Sequence, residues 1–339
     1  MEPNCIVTAN KRGAITFWRK PKKLFSFKEV GNLRPIIEVL KFLTPKEAVG
    51  IARVSKQFYE ACFDREIQKP EFRKVRFLDK GDVIECVYSA LCEEKELLVL
   101  ASNSVIRIWS LTAEKLIKEV ECGRCNPLCM AISRMGKHMA AGCKDKKIRL
   151  WNVTSGKLVD VTDGHEDLIN AVAFSSKGTK LVSGSDDTTL RVWKLPPRTL
   201  MILRGHTARV NSVVVSKSDE YIISGSDDKT VRVWSLDSGE QIRVLEGHSR
   251  PVKFVQISKE DELVFSSSNE VRVWSLASGE TTQILKTGSG TFGLSHDESY
   301  LVSGSDDNSS AIKVWNLATG QKTLELRDYS GGLCSVCVS

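Results

Sequence analysis

Histidines, serines and aspartates at fixed spacing are the residues of this chain best suited to nucleophilic or acid–base chemistry. His165 and His206 each follow a glycine, and a serine and then an aspartate follow each of them at the same two offsets. A serine activated by a histidine base is a common nucleophilic arrangement in enzymes. A set that recurs at one position of a repeat is better explained as a structural element, because satisfied buried polar groups fix local geometry. No nucleophile, base or metal set converges elsewhere in the sequence, so we expect that the protein is not an enzyme.

The cysteines of the stretch CGRCNPLC are a second candidate for chemistry. The repeat described below could bring Cys143 near Cys122 and Cys125, which would allow three thiolates to hold a zinc ion. One CxxC without a second spaced pair is weak evidence for a metal, and free cysteines often fill small spaces in a core. We therefore predict no metal and no cofactor, with zinc at these three cysteines left open.

The elements that position these residues repeat with a period of about 41. Six tryptophans each close a strand such as IRLW or VRVW, and they follow one another at spacings of 42, 42, 41, 40 and 41 residues. They are Trp109, Trp151, Trp193, Trp234, Trp274 and Trp315. Several short alternating strands per period, rich in Val and Ile, are typical of a β-propeller blade of four antiparallel strands.

The two ends of the chain fit into one further unit of the same repeat. Residues 5–18 align without a gap on residues 221–234, which places Trp18 on Trp234, and residues 327–339 align on residues 204–216. The last strand, at 331–339, is therefore expected to pair with the strand at 5–9. This pairing would close the ring and leave no exposed edge.

These features resemble the WD-repeat family, in which GH opens each unit and a tryptophan closes it. The resemblance implies an all-β fold, a seven-bladed WD-repeat β-propeller, with a hydrogen-bonded tetrad of His, Ser or Thr, Asp and Trp in a blade. Carried over by position, the tetrads are His165, Ser183, Asp187 and Trp193, and His206, Ser224, Asp228 and Trp234. The unit of Trp274 keeps His248 and Ser266 but lacks the aspartate.

One interval between tryptophans is too long for a single repeat. Trp18 and Trp109 are separated by more than two periods, so the chain carries an insertion between them. The inserted apolar residues have helical spacing, and Thr44-Pro45-Lys46-Glu47 is a strong helix start. We predict strands two to four of the first blade in residues 1–30, three short helices and a return linker in 31–80, and the remaining six blades with the closing strand in 81–339.

The insertion resembles an F-box, whose pattern appears here as LTPKE and VSKQFY. The resemblance implies a substrate receptor of an SCF-type cullin–RING E3 ubiquitin ligase, in which the propeller binds the target and the helices bind the ligase's adaptor subunit. The implied adaptor-binding residues are Pro35, Ile36, Leu40, Leu43, Pro45, Val54, Ser55, Phe58 and Tyr59. The alternative is a non-catalytic WD-repeat scaffold whose helical insert binds another protein.

In related receptors the target contacts the face that carries the GH loops. The positions carried over to that face are Lys144, Asn170, Asp186, Asn211, Asp227, Lys253 and Asp306. Receptors for phosphorylated segments place arginine there, because guanidinium pairs with phosphate, whereas aspartates would repel it. We therefore expect a basic or neutral peptide target. The alternative is that these aspartates are only favourable turn residues.

Charge and composition exclude several other classes of function. The net charge of +7 comes from residues 1–80, which contain 18 Lys and Arg against 9 Asp and Glu, and a solvated basic face explains this better than a nucleic-acid site. No apolar run approaches the roughly 20 residues that cross a bilayer, so we expect no membrane partner. The N-terminal segment lacks the apolar region of a signal peptide, which predicts reduced cysteines and a cytoplasmic and/or nuclear location. The sequence does not indicate an oligomeric state.

Overall fold

The computed structural model describes residues 5–10, 15–19, 73–76, 88–92, 95, 97–101, 105–110, 115–123, 125–195, 198–288, 292–295, 297–303, 311–327 and 333–338. These residues form 28 β-strands in seven four-stranded antiparallel sheets, with no α-helix among them. No helix in this part of the chain could therefore cross a membrane. The predicted all-β class with repeated four-stranded sheets is confirmed.

The sheets are numbered 1 to 7 in the order in which their tryptophan-bearing strands follow one another along the chain. Sheet 1 contains β1 (Cys5–Asn10), β2 (Ile15–Arg19), β3 (Arg73–Arg76) and β28 (Leu333–Val338). Sheet 2 contains β4 (Tyr88–Cys92), β5 (Leu97–Ala101), β6 (Val105–Ser110) and β7 (Lys115–Glu121). Sheet 3 contains β8 (Pro127–Ile132), β9 (His138–Cys143), β10 (Ile148–Asn152) and β11 (Leu158–Thr162). Sheet 4 contains β12 (Ile169–Phe174), β13 (Lys180–Ser185), β14 (Leu190–Lys194) and β15 (Arg198–Leu203).

The other three sheets have the same strand order. Sheet 5 contains β16 (Val210–Val215), β17 (Tyr221–Ser226), β18 (Val231–Ser235) and β19 (Gln241–Leu245). Sheet 6 contains β20 (Phe254–Ile257), β21 (Leu263–Ser267), β22 (Val271–Ser275) and β23 (Thr281–Leu285). Sheet 7 contains β24 (Phe292–Leu294), β25 (Tyr300–Ser303), β26 (Ala311–Asn316) and β27 (Lys322–Arg327).

The core lies between neighbouring sheets, where apolar side chains of one sheet pack against the next. Val182 of sheet 4 and Val210 of sheet 5 belong to one such buried cluster. The glycines near the ends of the second strands of sheets 3, 4 and 5 are required by this close approach. A Cβ at Gly184 would lie 2.6 Å from Val210, and one at Gly142 or Gly225 would meet the next sheet at 2.5 or 2.7 Å.

The first strands of the sheets contact one another in cyclic order. β4, β8, β12, β16 and β20 contact in succession, and the rings of Phe254 on β20 and Phe292 on β24 lie 5.2 Å apart. β28 contacts both β24 and β4, and it pairs antiparallel with β1, with Val7 opposite Cys337. The two terminal strands therefore meet within sheet 1, and the sheets form a closed cycle.

The structure differs from the predicted boundaries at the fourth strand of sheet 1. This strand was expected before residue 31, but in the structure it is Arg73–Arg76, paired with β2. Lys74 lies opposite Trp18, whereas in sheet 5 a short hairpin brings Gln241 opposite Trp234. The number of extra residues between β2 and β3 is close to the predicted length of the insertion. The tryptophan spacing gives only this length and not the residues at which the insertion begins and ends. The insertion therefore interrupts sheet 1 between its third and fourth strands.

Carboxylates join neighbouring sheets at the turns between their first and second strands. Asp261 of sheet 6 accepts hydrogen bonds from the backbone N–H of Lys217 at 3.0 Å and of Ser218 at 2.9 Å, both in sheet 5. The same contact joins Asp219 to Ser176 and Lys177, and Glu298 to Lys259. Each acceptor has a positive φ, between 54° and 63°. These turn residues were not identified from the sequence, although SKSDE and SKEDE recur one repeat apart.

Candidate functional site

Sheets 4 and 5 each hold a histidine, a serine, an aspartate and a tryptophan in one hydrogen-bonded network. In sheet 5, His206 Nδ1 lies 2.7 Å from Asp228 Oδ2, and its Nε2 lies 2.8 Å from Ser224 Oγ. The indole N–H of Trp234 donates to the same Ser224 oxygen at 2.9 Å. Strands two and three position the serine and the tryptophan. The loops at one end of the strands supply the histidine and the aspartate.

The network of sheet 4 has the same geometry. His165 Nδ1 lies 2.7 Å from Asp187 and its Nε2 lies 2.7 Å from Ser183 Oγ, which accepts from Trp193 Nε1 at 2.8 Å. The histidine side chains of both networks are fully buried. Solvent and substrate therefore have no access to the imidazoles, which fits a structural role.

Burial and hydrogen bonding set the charge states in sheet 5. Burial lowers the pKa of His206 and outweighs the opposing effect of Asp228. Burial alone would raise the pKa of Asp228, but hydrogen bonds from His206 and Thr230 hold it well below its usual range. A neutral imidazole with Nδ1–H donating to the carboxylate satisfies every member, since the Ser224 hydroxyl can then donate to Nε2.

Sheet 6 completes its network without an aspartate. His248 Nε2 lies 2.7 Å from Ser266 Oγ, which accepts from Trp274 Nε1 at 2.7 Å. The hydroxyl of Ser268 takes the place of the missing carboxylate, 2.9 Å from His248 Nδ1. This residue was missed from the sequence, where SSSNEV only indicated a shortened turn.

We expect acid to destabilise the protein through His248 as the pH falls from 6.5 towards 4. Burial, followed by the nearby Arg272, lowers the pKa of His248 from 6.5 to about 4, against the smaller effect of Glu270. The folded state keeps this imidazole neutral in that range, whereas the unfolded chain takes up a proton. The stabilisation is complete above pH 6.5 and is lost below it, by up to about 1.4 kcal/mol per pH unit for one proton.

Urea unfolding of the wild type and of His248→Gln at pH 7, 6 and 5 tests this expectation. The variant cannot titrate at this position, so its stability should fall less steeply with decreasing pH. Equal slopes for the two proteins would contradict it.

Among the described residues of sheets 2, 3 and 7, only parts of the network are present. Asp145 of sheet 3 binds the guanidinium of Arg149 at 2.6 and 2.9 Å, and no histidine of the described residues lies beside it. In sheet 7, Trp315 Nε1 donates to Ser303 at 3.2 Å. In sheet 2, Trp109 Nε1 is buried and has no hydrogen-bond partner among the described residues.

The asparagines predicted to contact a target link neighbouring sheets. Asn170 Nδ2 donates to Asp186 Oδ1 at 2.6 Å and to the carbonyl of Val210 in the next sheet at 3.0 Å. Asn211 repeats the arrangement with Asp227 at 2.6 Å and with Val252 at 2.8 Å. These side chains therefore support the loop face.

The negative charge of Asp227 is compensated by two cations. Arg209 and Lys253 both form ion pairs with its carboxylate, the lysine at 2.7 Å. The side chain of Asp227 is only 15% exposed, whereas those of Arg209 and Lys253 are 56% and 48% exposed. Asp227 therefore gives no physical basis for expecting a basic target at this position.

Of the remaining predicted site residues, only Lys144 lies among the described residues. Lys144 is exposed on the loop face, and its backbone N–H donates to the carbonyl of Asn126 at 3.0 Å. Asp306 and all nine residues predicted to bind an adaptor lie outside the described residues. In the described ranges, no group of three or more His, Cys, Asp or Glu side chains has a geometry that could hold a metal ion.

Four segments of the chain match the family model for the WD domain, G-beta repeat. The matched residues are 115–152, 156–194, 197–235 and 239–275. Each match begins with the outer strand of one sheet and continues through three strands of the next. No curated protein matches the chain.

Proposed function

We propose that the four WD repeats are part of a closed seven-bladed propeller and that the protein is a non-catalytic substrate receptor of an SCF-type cullin–RING E3 ubiquitin ligase. WD repeats support a role in protein interaction or as a scaffold. The loop face of the propeller would bind the target, and the segment between β2 and β3 would bind the adaptor subunit. The protein would raise the local concentration of its target beside the ubiquitin-loaded enzyme. A cytoplasmic and/or nuclear location belongs to this proposal.

The observation that carries the proposal is the interruption of sheet 1. Arg19 and Arg73 are directly opposite each other in the ladder of β2 and β3, so residues 20–72 leave and re-enter the sheet at adjacent points. A unit attached in this way can carry its own binding activity without breaking the sheet. The sequence of this unit resembles an F-box, which supports a ligase adaptor as its partner.

A broader scaffold is the second candidate, because the family matches cover WD repeats alone. In this case the segment 20–72 would bind a protein outside the ubiquitin system. The two candidates differ in the identity of the partner that depends on this segment.

The register of sheet 1 defines a deletion that separates these candidates. Residues 20–72 are replaced by Leu-Asp-Ser-Gly, the sequence at 236–239, because Trp234 and Gln241 are paired across a hairpin of that length. Deletion of 31–80 would be unsuitable because it removes β3. The full chain and the deletion variant are used as baits in affinity purification from eukaryotic cells, with Leu43→Asp as a point variant and Lys41→Asp as its control.

We expect adaptor and cullin with the full chain and with Lys41→Asp, and their loss from the deletion variant and from Leu43→Asp. Proteins shared by all four baits would be target candidates. Failure of the folded full chain to recover adaptor and cullin would overturn the ligase proposal. Other partners that depend on residues 20–72 would then support the scaffold.

A further inference from the structure

Sheet 3 has lost the histidine and the serine of the network described above. By the repeat register, Gly123 occupies the position of His165, and Ala141, opposite Arg149, occupies the position of Ser183. The polar positions around this gap are occupied by cysteines. Cys143 stands where sheet 4 has Ser185, whose hydroxyl donates to a backbone carbonyl at 3.2 Å.

Three cysteines of this sheet pack into one apolar cluster. Cys125 and Cys143 belong to its buried core, and Cys122 is partly buried against it. Cys125 and Cys143 are buried, with 1% and 0% of their surface exposed, whereas Cys122 is half-buried. An oxidant in solution can therefore reach only Cys122 directly.

Hydrogen bonding concentrates thiolate character at the accessible sulfur. The bond from Cys125 lowers the pKa of Cys122, and the same bond raises the pKa of Cys125 to about 11. The bond with Cys125, followed by burial, raises the pKa of Cys143. Reactivity of a cysteine follows its thiolate fraction and its exposure, so Cys122 is the most reactive of the three.

We propose that Cys122 and Cys125 form a reversible disulfide when the protein meets a hydroperoxide, while Cys143 remains reduced. The two cysteines have the spacing of a CxxC loop, and Gly123 between them has a φ of 62° with open space around it. The sulfurs of Cys122 and Cys125 can therefore approach to the disulfide distance of about 2 Å without a clash at this glycine.

The reaction proceeds in two steps. The Cys122 thiolate attacks one oxygen of hydrogen peroxide, the O–O bond breaks, and the departing hydroxide takes up a proton to become water. This step leaves Cys122 as a sulfenic acid. The Cys125 thiol then loses its proton and attacks the Cys122 sulfur, the S–O bond breaks, and a second water leaves as the disulfide forms. A dithiol reverses the reaction by thiol–disulfide exchange.

The disulfide would change the loop face beside sheet 3. The carbonyl of Asn126, next to Cys125, accepts the backbone hydrogen bond of Lys144. Closure of the CxxC loop moves this carbonyl and with it the turn that carries Lys144. Oxidation would thus be transmitted to a residue on the exposed face.

The test uses the full reduced chain treated with hydrogen peroxide at neutral pH, then alkylated with N-ethylmaleimide and digested with trypsin. Cleavage after Arg124 separates the two cysteines into the peptides 119–124 and 125–134. We expect these peptides to be linked, with Cys143 alkylated, and we expect dithiothreitol to separate them. Because 125–134 also contains Cys129, the experiment is repeated with Cys129→Ala.

Cys129 is a matched control, since it is buried in the same sheet and burial raises the pKa of its thiol. Cys129→Ala should leave the yield of linked peptide unchanged, whereas Cys122→Ser removes the only sulfur of the peptide 119–124 and should abolish the link. Overturning results would be complete alkylation of Cys122 after peroxide, its conversion to sulfinic acid without a link, or a Cys125–Cys143 disulfide. Circular dichroism of Cys122→Ser checks that this half-buried substitution preserves the fold.

Discussion

Ser224→Ala should destabilise the protein by about 2–4 kcal/mol, because one oxygen serves two buried partners. Ser224 Oγ accepts from Trp234 Nε1 and lies in hydrogen-bond contact with His206 Nε2. Neither the indole nor the imidazole can reach water, since Trp234 and His206 are 1% and 5% exposed. The substitution leaves both groups unsatisfied, and each unsatisfied buried group costs about 1–3 kcal/mol. Urea unfolding followed by tryptophan fluorescence measures the loss.

Ser303→Ala is the matched control for this prediction. Ser303 accepts from Trp315 in sheet 7, but its bond is longer, at 3.2 Å, and Trp315 is only half-buried. The control should therefore cost less than half as much as Ser224→Ala. Equal losses at the two positions would mean that the histidine bond adds nothing to the stability of sheet 5.

Removal of residues 333–339 should open the closed cycle of sheets and destabilise the fold. β28 is paired with β1 from Ile6 to Asn10, and it is also the strand that contacts β24 and β4. Several backbone hydrogen bonds at about 1 kcal/mol each are lost together with the packing on both sides. The total is comparable with the roughly 5–15 kcal/mol that stabilises a typical protein. The unpaired edge of β1 is then free to pair with other chains.

Size-exclusion chromatography with light scattering follows the truncated chain, with removal of Ser339 alone as the control. For the long truncation we expect species larger than those of the full chain and a loss of cooperative unfolding, and we expect no change for the control. A synthetic peptide of residues 327–339 should restore the smaller species by occupying the edge of β1. A truncated chain that keeps the oligomeric state of the full chain and unfolds cooperatively would show that closure by β28 is dispensable.

The repeated sheets could be predicted because one period governs several residue types together. The tryptophans mark the third strand, the SGS segments mark the second, and alternation of apolar residues shows which side chains are buried. The same register predicted contacts between His206, Ser224, Asp228 and Trp234, and in the structure these four form the network of sheet 5. Periodicity suffices here because the partners belong to one repeat or to its direct neighbour.

Features that depend on geometry between repeats could not be predicted in this way. Spacing gave the length of the insertion but not its edges, and in the structure the fourth strand of sheet 1 lies at Arg73–Arg76 and not before residue 31. The substitution of Ser268 for an aspartate depends on the path of a shortened turn. The pairing of Asp227 with Arg209 and Lys253 depends on residues that approach from two different loops. The F-box resemblance and the adaptor-binding residues remain predictions.

The carboxylates at the turns opposite the GH loops make the contacts between neighbouring sheets directional, because each acceptor belongs to the later sheet and its donors belong to the earlier one. Asp219, Asp261 and Glu298 each belong to a later sheet and close the turn of the sheet before it. If sheet 6 opens locally, the amides of Lys217 and Ser218 in sheet 5 lose their acceptor, whereas the turn of sheet 6 itself is held from sheet 7. Fraying that starts at one sheet is therefore transmitted towards the N-terminal sheets more readily than away from them. Amide hydrogen exchange at these exposed turns would be governed by the opening of the neighbouring sheet.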